Sequence, residues 1–170
     1  DAVQKPMNDL EDIQLAQIDG FADKSAAITQ DGDLLVWGRS INGSFLNSDG
    51  QPFKSNLVSP YLFEVKEGVK FKNVSCGRHH IAAVTTDGRI LMLGNPDRGK
   101  LGLQQYIDEI VAQKAAEGGS YSPGAISNRA MMGFVSIGGD KVKQAACGFD
   151  HTACITENGD LYTWGDGRQG

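Results

Sequence analysis

TACITENGDLYTWG, which spans residues 152 to 165, is the last of three similar stretches in this chain of 170 residues. SAAITQDGDLLVWG at residues 25 to 38 and IAAVTTDGRILMLG at residues 81 to 94 align with it without gaps. In each copy an Asp-Gly or Asn-Gly pair separates two short apolar runs, which is the pattern of a β-hairpin. A repeat of this kind indicates supersecondary units that stack on one another to bury their apolar surface.

The centre of each copy predicts a two-residue turn of type I′, which needs positive φ at both central positions. The central pairs are Asp31-Gly32, Asp87-Gly88 and Asn158-Gly159. After the turn, Leu34-Leu35-Val36-Trp37 and Ile90-Leu91-Met92-Leu93 are apolar at successive positions. Both faces of these strands should therefore be covered, as in a sheet that lies between two others.

The similarity continues upstream of the hairpins, where a Cys and a His recur at constant spacing. The aligned residues are Cys76 and His80 in the second copy, Cys147 and His151 in the third, and Gly20 and Lys24 in the degenerate first copy. VSCGRHHIAAVTTDGRILMLG at 74–94, GKLG at 99–102 and AACGFDHTACITENGDLYTWGDGRQG at 145–170 resemble the repeat of the regulator of chromosome condensation family. The shared hallmarks are Cys-Gly, His, Asp/Asn-Gly and Trp-Gly at fixed spacing.

This resemblance implies an all-β fold, a partial β-propeller of four-stranded antiparallel blades. A closed ring needs about four to eight blades, and the chain supplies about three at the repeat length of about 50 residues. We therefore expect a piece of a longer propeller protein, with the remaining blades in the rest of that chain or in another copy. The predicted repeat hallmarks are at about 15–38, 71–102 and 142–170 of a single unit, 1–170.

Two segments exceed what the repeat needs. Residues 39–60 are predicted as a loop insertion, and residues 103–135 as a helix followed by a loop. The helix is predicted over LQQYIDEIVAQKAAEGG, residues 103 to 119, because it is rich in helix formers and ends in a glycine pair. Its apolar stripe, Ile107, Ile110 and Val111, leaves two interpretations open: packing on the rim of the propeller, or docking into a groove of a partner.

Loops on a rigid scaffold often carry recognition, so the charged residues after each Trp-Gly strand are candidate contacts for a protein partner. These candidates are Arg39, Asp97, Arg98, Lys100, Asp166 and Arg168, together with the three residues of the helix stripe. A net charge of −5 argues against direct nucleic-acid binding. No apolar run reaches the roughly 18 residues of a membrane span. Three cysteines do not suggest a disulfide framework and favour an intracellular location, in the cytoplasm or the nucleus.

No catalytic, cofactor or metal site is predicted. Cys76 with His79 and His80, and Cys147 with His151, could ligate zinc by residue type. Their fixed repeat positions favour a structural interpretation instead, with each Cys a small buried side chain. The sequence has neither a Gly-x-Ser-x-Gly elbow nor a phosphate-binding loop.

Two functions therefore compete. The first is a non-enzymatic interaction or scaffold module, which the resemblance implies for most members. The second is guanine nucleotide exchange on a Ran-type small GTPase, which it implies for the founding member. The hairpin repeat is common to both, so it does not separate them.

Overall fold

The computed structural model describes residues 12–39, 56–63, 65, 68–117 and 131–168. These residues form eleven β-strands and one α-helix, α1 (Gln104–Ala116). The strands are β1 (Leu15–Phe21), β2 (Lys24–Thr29), β3 (Leu34–Gly38), β4 (Leu57–Phe63), β5 (Phe71–Cys76), β6 (His80–Thr85), β7 (Ile90–Gly94), β8 (Met131–Val135), β9 (Val142–Cys147), β10 (His151–Thr156) and β11 (Leu161–Gly165).

The strands form three antiparallel sheets, each built from strands that follow one another along the chain. Blade 1 has the order β1-β2-β3-β4, blade 2 has β5-β6-β7-β8, and blade 3 has β9-β10-β11 within the described residues. Blade 2 contacts both of the others, through β5 and β6. This confirms the all-β propeller architecture with one inserted helix.

Two apolar layers hold the blades together. Blade 1 packs on blade 2 through a first core that includes Ile28, Leu34, Phe71 and Val74. Blade 2 packs on blade 3 through a second core that includes Met92. Every residue of β6 and β7 is buried, which confirms that both faces of the central blade are covered.

The hairpins are confirmed, but the two-residue type I′ turn is wrong. In blade 1 the N–H of Thr29 donates to the carbonyl of Asp33 at 3.0 Å, which leaves three residues in the loop. The N–H of Gly32 donates back to the carbonyl of Thr29 at 2.9 Å, and Gly32 has a φ of 82°. Asp31 is not among the positive-φ residues. A three-residue loop needs only its last residue in the left-handed region, so Asp-Gly serves this loop equally well.

A threonine that was not among the predicted hallmarks fixes the loop in all three blades. Its hydroxyl oxygen accepts a hydrogen bond from the backbone N–H four residues later. The pairs are Thr29 with Asp33 at 3.0 Å, Thr85 with Arg89 at 2.9 Å, and Thr156 with Asp160 at 3.1 Å. All three threonines are buried, so the bond satisfies a hydroxyl that would otherwise be costly to bury.

The loop glycines also join one blade to the next. The carbonyl of Gly32 accepts from the N–H of Phe71 at 2.7 Å, where blade 2 begins. The carbonyl of Gly88 accepts from the N–H of Val142 at 2.7 Å, where blade 3 begins. Each blade therefore aligns the innermost strand of its successor.

The outer strands β4 and β8 lie partly within the segments that the sequence predicts as insertions. β4 begins at Leu57, inside the predicted loop, and β8 includes the Met131-Met132-Gly133 run that was predicted to be loop. An outer strand pairs on one side only and needs little apolar alternation, so its pattern is weak. A Cβ at Gly133 would lie 2.9 Å from Cδ2 of Leu103, so the glycine makes room for the chain that leads into α1. The predicted loops over 40–55 and 118–130 lie outside the described residues.

Blade 3 presents an apolar face that no described residue covers. Ile155 pairs with Leu161 across β10 and β11, and Leu161 is 68 % exposed. Their counterparts in blade 2, Val84 and Ile90, are 0 % exposed beneath blade 3. The face of blade 3 therefore carries apolar side chains at the positions that form the junction in blade 2.

On its own, the 170-residue chain is therefore expected to self-associate through this face. Replacing Ile155 and Leu161 by aspartate should reduce the association, because burying a carboxylate that has no opposite charge or hydrogen-bond donor beside it is costly. Light scattering coupled to size-exclusion chromatography measures the mass over a range of concentrations. Val58→Asp is the control, since Val58 is 95 % exposed on the outer strand of blade 1. A wild-type chain that stays monomeric throughout would contradict the prediction.

Candidate interaction surface

The loops that join the first and second strands of the three blades lie together at one end of the stack. We call this end the loop end and define it by residues 21–23, 77–79 and 148–150. A Cβ placed on Gly77 would lie 2.6 Å from the carbonyl oxygen of Gly148, so the second and third loops touch through their backbones. The turns that follow β3, β7 and β11 begin at the same end.

The hallmark glycines are needed because chain segments cross here without room for a side chain. Gly94 has a φ of 128°, and a Cβ on it would lie 2.6 Å from Cα of His80. A Cβ on Gly77 would lie 2.5 Å from Nδ1 of His80 and closer still to its Cε1. Gly38 and Gly165 repeat the first arrangement, with φ of 111° and 117°.

The hallmark histidine links its blade to the next one. His80 is 0 % exposed, and its Nε2 lies 3.0 Å from the hydroxyl of Thr152 and 3.3 Å from the carbonyl of His151. Lys24 takes this position in blade 1, where its ammonium donates to the carbonyl of Gly77 at 2.8 Å. The residue that makes the first copy degenerate in sequence therefore still bonds to the next blade, although to different residues of it.

Burial lowers the pKa of both Lys24 and His80. Desolvation lowers the pKa of Lys24 to about 8 and the pKa of His80 to about 4. His80 is therefore neutral at pH 7 and bonds as an uncharged imidazole. In blade 3 the equivalent His151 is exposed.

Because His80 has a lower pKa in the folded protein than its ordinary 6.5, the unfolded chain binds more protons between pH 4 and pH 6.5. The contribution of His80 to stability is therefore complete above pH 6.5 and is lost as the pH falls towards 4. Urea unfolding of the full-length protein at several pH values should show a steeper loss for the wild type than for His80→Gln. An identical slope in the wild type and His80→Gln would contradict the assignment.

The innermost strands are joined by side-chain amides. The amide of Gln17 donates to the carbonyl of Val74 at 3.1 Å and accepts from its N–H at 2.9 Å. Asn73 accepts from the N–H of Ala145 at 2.8 Å, one blade further on. Gln144 occupies the same repeat position in blade 3 and is exposed. An amide side chain at the same position of all three copies is visible in the sequence and could have predicted these contacts between blades.

Lys100 lies at the junction of blades 2 and 3. It is 2 % exposed, and its ammonium lies 3.0 Å from Oδ1 of Asp150. Its carbonyl accepts from the hydroxyl of Thr152 and from the indole N–H of Trp164, both at 2.9 Å. Lys100 therefore joins two blades and does not present its charge to solvent, although the sequence places it among the candidate partner contacts.

Arg98, Asp166 and Arg168 meet at the surface above this junction. The guanidinium of Arg98 lies 3.1 Å from Asp150 and 2.7 Å from Asp166, and Arg168 lies 2.7 Å from Asp166. Hydrogen bonds from Arg168 hold the pKa of Asp166 well below its usual range. Four of the predicted candidates, counting Lys100, are thus assembled into one network through Asp150, which the sequence analysis missed.

The other candidates are placed separately. Arg39 is exposed and lies 3.5 Å from Asp23 at the loop end of blade 1. Asp97 is half-buried in a short 3-10 turn, where its N–H donates to the side chain of Asn95 at 2.7 Å. Neither of them joins the network of Arg98.

The helix stripe lies against the propeller. Ile107 and Val111 are half-buried and pack on the second core, while Tyr106 is 51 % exposed. The side chain of Ile110 lies outside the described residues. These contacts favour the first interpretation of α1, in which it covers the rim.

An exposed phenylalanine at the loop end contacts residues of the other two blades. Phe149 is 52 % exposed, and the guanidinium carbon of Arg78 lies 4.3 Å from its ring centroid. Phe21 approaches the same ring edge-on, with centroids 6.2 Å apart. Ala22, Arg78 and Phe149 hold equivalent positions in the three copies, so no repeated residue type could have revealed them.

The cysteines are structural. Cys76 and Cys154 are buried, and all three thiols are free. Burial raises the pKa of Cys76 and that of Cys147 to about 12, so neither is a thiolate at pH 7. Within the described ranges, no three His, Cys, Asp or Glu side chains are arranged to hold a metal ion. In the same part of the chain, α1 is too short and too polar to cross a membrane.

Stacked four-stranded sheets with a shared loop end define a β-propeller repeat protein. Residues 142–170 match the Regulator of chromosome condensation (RCC1) repeat. The chain is 31 % identical over 175 residues to the ultraviolet-B receptor UVR8 of Arabidopsis thaliana, covering 100 % of this chain and 34 % of that protein. The chain belongs to the regulator of chromosome condensation repeat family.

Two further comparisons agree. The probable E3 ubiquitin-protein ligase HERC4 of Mus musculus is 28 % identical over 169 residues, covering 99 % of this chain and 14 % of that protein. The crystal structure of Prp20p from Saccharomyces cerevisiae, described with its binding properties to Gsp1p and histones, superposes with a TM-score of 0.64 at 20 % identity. That match covers 89 % of this chain and 33 % of Prp20p, and shows the same fold. The chain spans about a third, or less, of the length of these proteins.

Proposed function

We propose that this chain contributes its blades to a propeller that acts as a non-enzymatic protein-interaction or scaffold module. Its contacts are made at the loop end, where exposed charged and aromatic side chains lie on a rigid base. The surface also includes the turns that follow β7 and β11 and begin at this end, with Asp97, Arg98, Asp166 and Arg168.

One observation carries this proposal: the same repeats align with proteins whose names state unlike activities. One relative is named a receptor for ultraviolet-B light and another a probable ubiquitin ligase. What such proteins share with this chain is the propeller, and a shared scaffold accounts for that better than a shared reaction. In this chain the buried polar groups near the loop end, Lys24, His80 and Lys100, bond to the next blade.

Site-specific photo-crosslinking tests the proposal in the full-length protein. A benzoylphenylalanine at Arg168 lies at the loop end, and one at Asn158 lies in the hairpin loop at the opposite end of the same blade. The proposal expects a discrete protein adduct from position 168 that position 158 does not give. Adducts from neither position, or the same adducts from both, would contradict it.

Nucleotide exchange on a Ran-type small GTPase is the alternative that the resemblance implies. Its support from structure is the likeness to Prp20p, which at 20 % identity extends to the fold alone. Release of fluorescent GDP from Ran, measured with and without the full-length protein, separates the two. Acceleration by several orders of magnitude would replace the scaffold proposal.

A further inference from the structure

Arg78 and Phe149 leave a specific gap in the loop end. The guanidinium carbon of Arg78 lies 4.3 Å from the ring centroid of Phe149, a cation–π contact that, among the described residues, leaves N–H donors of the group without a hydrogen-bond acceptor. Arg78 is exposed, and within the described residues its guanidinium has neither a hydrogen bond nor an ion pair. The donors are therefore open to a ligand that approaches the rim of the ring.

A second stacked pair in blade 2 shows what the first one lacks. The guanidinium carbon of Arg89 lies 4.5 Å from the ring centroid of Phe134, at nearly the same distance. There, however, Nε of Arg89 lies 2.9 Å from the carboxylate of Asp87, two residues away. In blade 2 the arginine therefore has both an aromatic ring and a carboxylate as partners, and all three residues belong to one blade. Arg78 at the loop end has the aromatic ring but, within the described residues, no carboxylate partner.

The surroundings of Arg78 favour a negative ligand. Lys24 lies beneath it and donates to the carbonyls of Gly77 and Arg78. After burial, the charges of Lys24 and Arg78 are the next largest causes of the lowered pKa of His79. The carboxylates around it are already engaged: Asp150 is bound by Lys100 and Arg98, Asp23 lies 3.5 Å from Arg39, and Asp19 accepts from the N–H of Cys76 at 2.8 Å.

The apolar part of the surface is the exposed ring of Phe149. Phe149 keeps half of its surface exposed although Phe21 and Arg78 both contact it. Phenylalanine and arginine are both enriched at protein interfaces, and arginine is among the residues that often dominate the binding energy. Phe21 reaches this ring from blade 1, across blade 2, so the platform is fixed by three blades.

We propose that Arg78 and Phe149 anchor a binding site for an acidic protein segment in which a carboxylate stands beside an apolar or aromatic side chain. The carboxylate bonds to the outward edge of the Arg78 guanidinium, and the apolar side chain packs on the exposed face of Phe149. This inference rests on the proposed interaction function and names the chemistry of the partner at that surface.

Fluorescence anisotropy of labelled peptides with the full-length protein tests it. The probe is the hexapeptide Glu-Phe-Glu-Phe-Glu-Phe, and its controls are Lys-Phe and Glu-Ser repeats of equal length. The probe should bind at least about tenfold more tightly than either control, and Arg78→Ala or Phe149→Ala should each weaken it by about tenfold or more. The matched variants Arg89→Ala and Phe134→Ala should leave its affinity unchanged.

Equal binding of the three peptides, binding of none, or an unaltered affinity in Arg78→Ala would overturn the inference. Melting curves show whether each of the four variants is folded. We expect that they are, because both arginines and both phenylalanines are exposed. If the peptides fail while position 168 still yields its discrete adduct, only the partner chemistry is wrong. If the adduct is also absent, the interaction function itself fails.

Discussion

Gly94→Ala is expected to lower the free energy of unfolding by about 3 kcal/mol or more. Gly94 has a φ of 128°, which alanine rarely adopts. The new Cβ would also lie 2.6 Å from Cα of His80 and still closer to the carbonyl oxygen of His79. Both obstacles are backbone atoms, so no side chain can move aside. Urea unfolding of the full-length protein, followed by near-ultraviolet circular dichroism, measures the loss.

Gly99→Ala is the matched control. Gly99 also has a positive φ, 71°, but a Cβ there would meet no atom within 4 Å. Only the backbone strain remains, and about 1–2 kcal/mol is expected for it. Equal losses in the two variants would show that crowding at the crossing of β7 and the loop end is not what requires the glycine.

Asp150→Ala is expected to cost about 3–5 kcal/mol, because it leaves the buried ammonium of Lys100 without its counter-ion. Lys100 is 2 % exposed and lies 3.0 Å from the carboxylate, in the junction that joins blade 2 to blade 3. Arg98 loses a contact in the same variant, but its side chain is 46 % exposed and can be solvated. Melting temperature and urea midpoint should both fall.

The corresponding control is Glu157→Ala, which removes a surface ion pair of 2.8 Å to Lys72. Water screens that pair, so its loss should lower the stability far less than Asp150→Ala does. Lys100→Met combined with Asp150→Ala should recover part of the stability, since no uncompensated charge then stays buried. A double variant as unstable as Asp150→Ala alone would rule out the buried charge as the cause.

The hairpins were predictable because a turn depends on residues close together in sequence, and the glycine hallmarks because they recur at fixed spacing. Asp31 and Gly32 lie in one turn, and the turn exists wherever the chain must reverse between two apolar runs. The detailed loop type was not predictable from that pair alone, since a two-residue and a three-residue loop accept the same residues. Thr29, which distinguishes them here, lies outside the pair.

The interaction surface was harder to predict because its residues meet only after the blades are stacked. Arg98, Asp166 and Arg168 were candidates from their loops, yet Asp150, which joins Arg98 to Lys100, stands in another loop of the repeat. Phe149 and Arg78 belong to different blades and to a position where the copies share no residue type. Sequence shows which positions are equivalent, but not which differing side chains will touch.

The junctions between blades have a direction. Gln17, Lys24 and His80 each reach forward to the backbone or side chains of the following blade. A gene segment that encodes one blade could therefore be copied in tandem, and the copy would receive from its parent the same contacts that the old neighbour received. Directional junctions of this kind let a ring gain a blade by duplication while every junction keeps the same type of contact. Each copy can then diverge in its exposed loops.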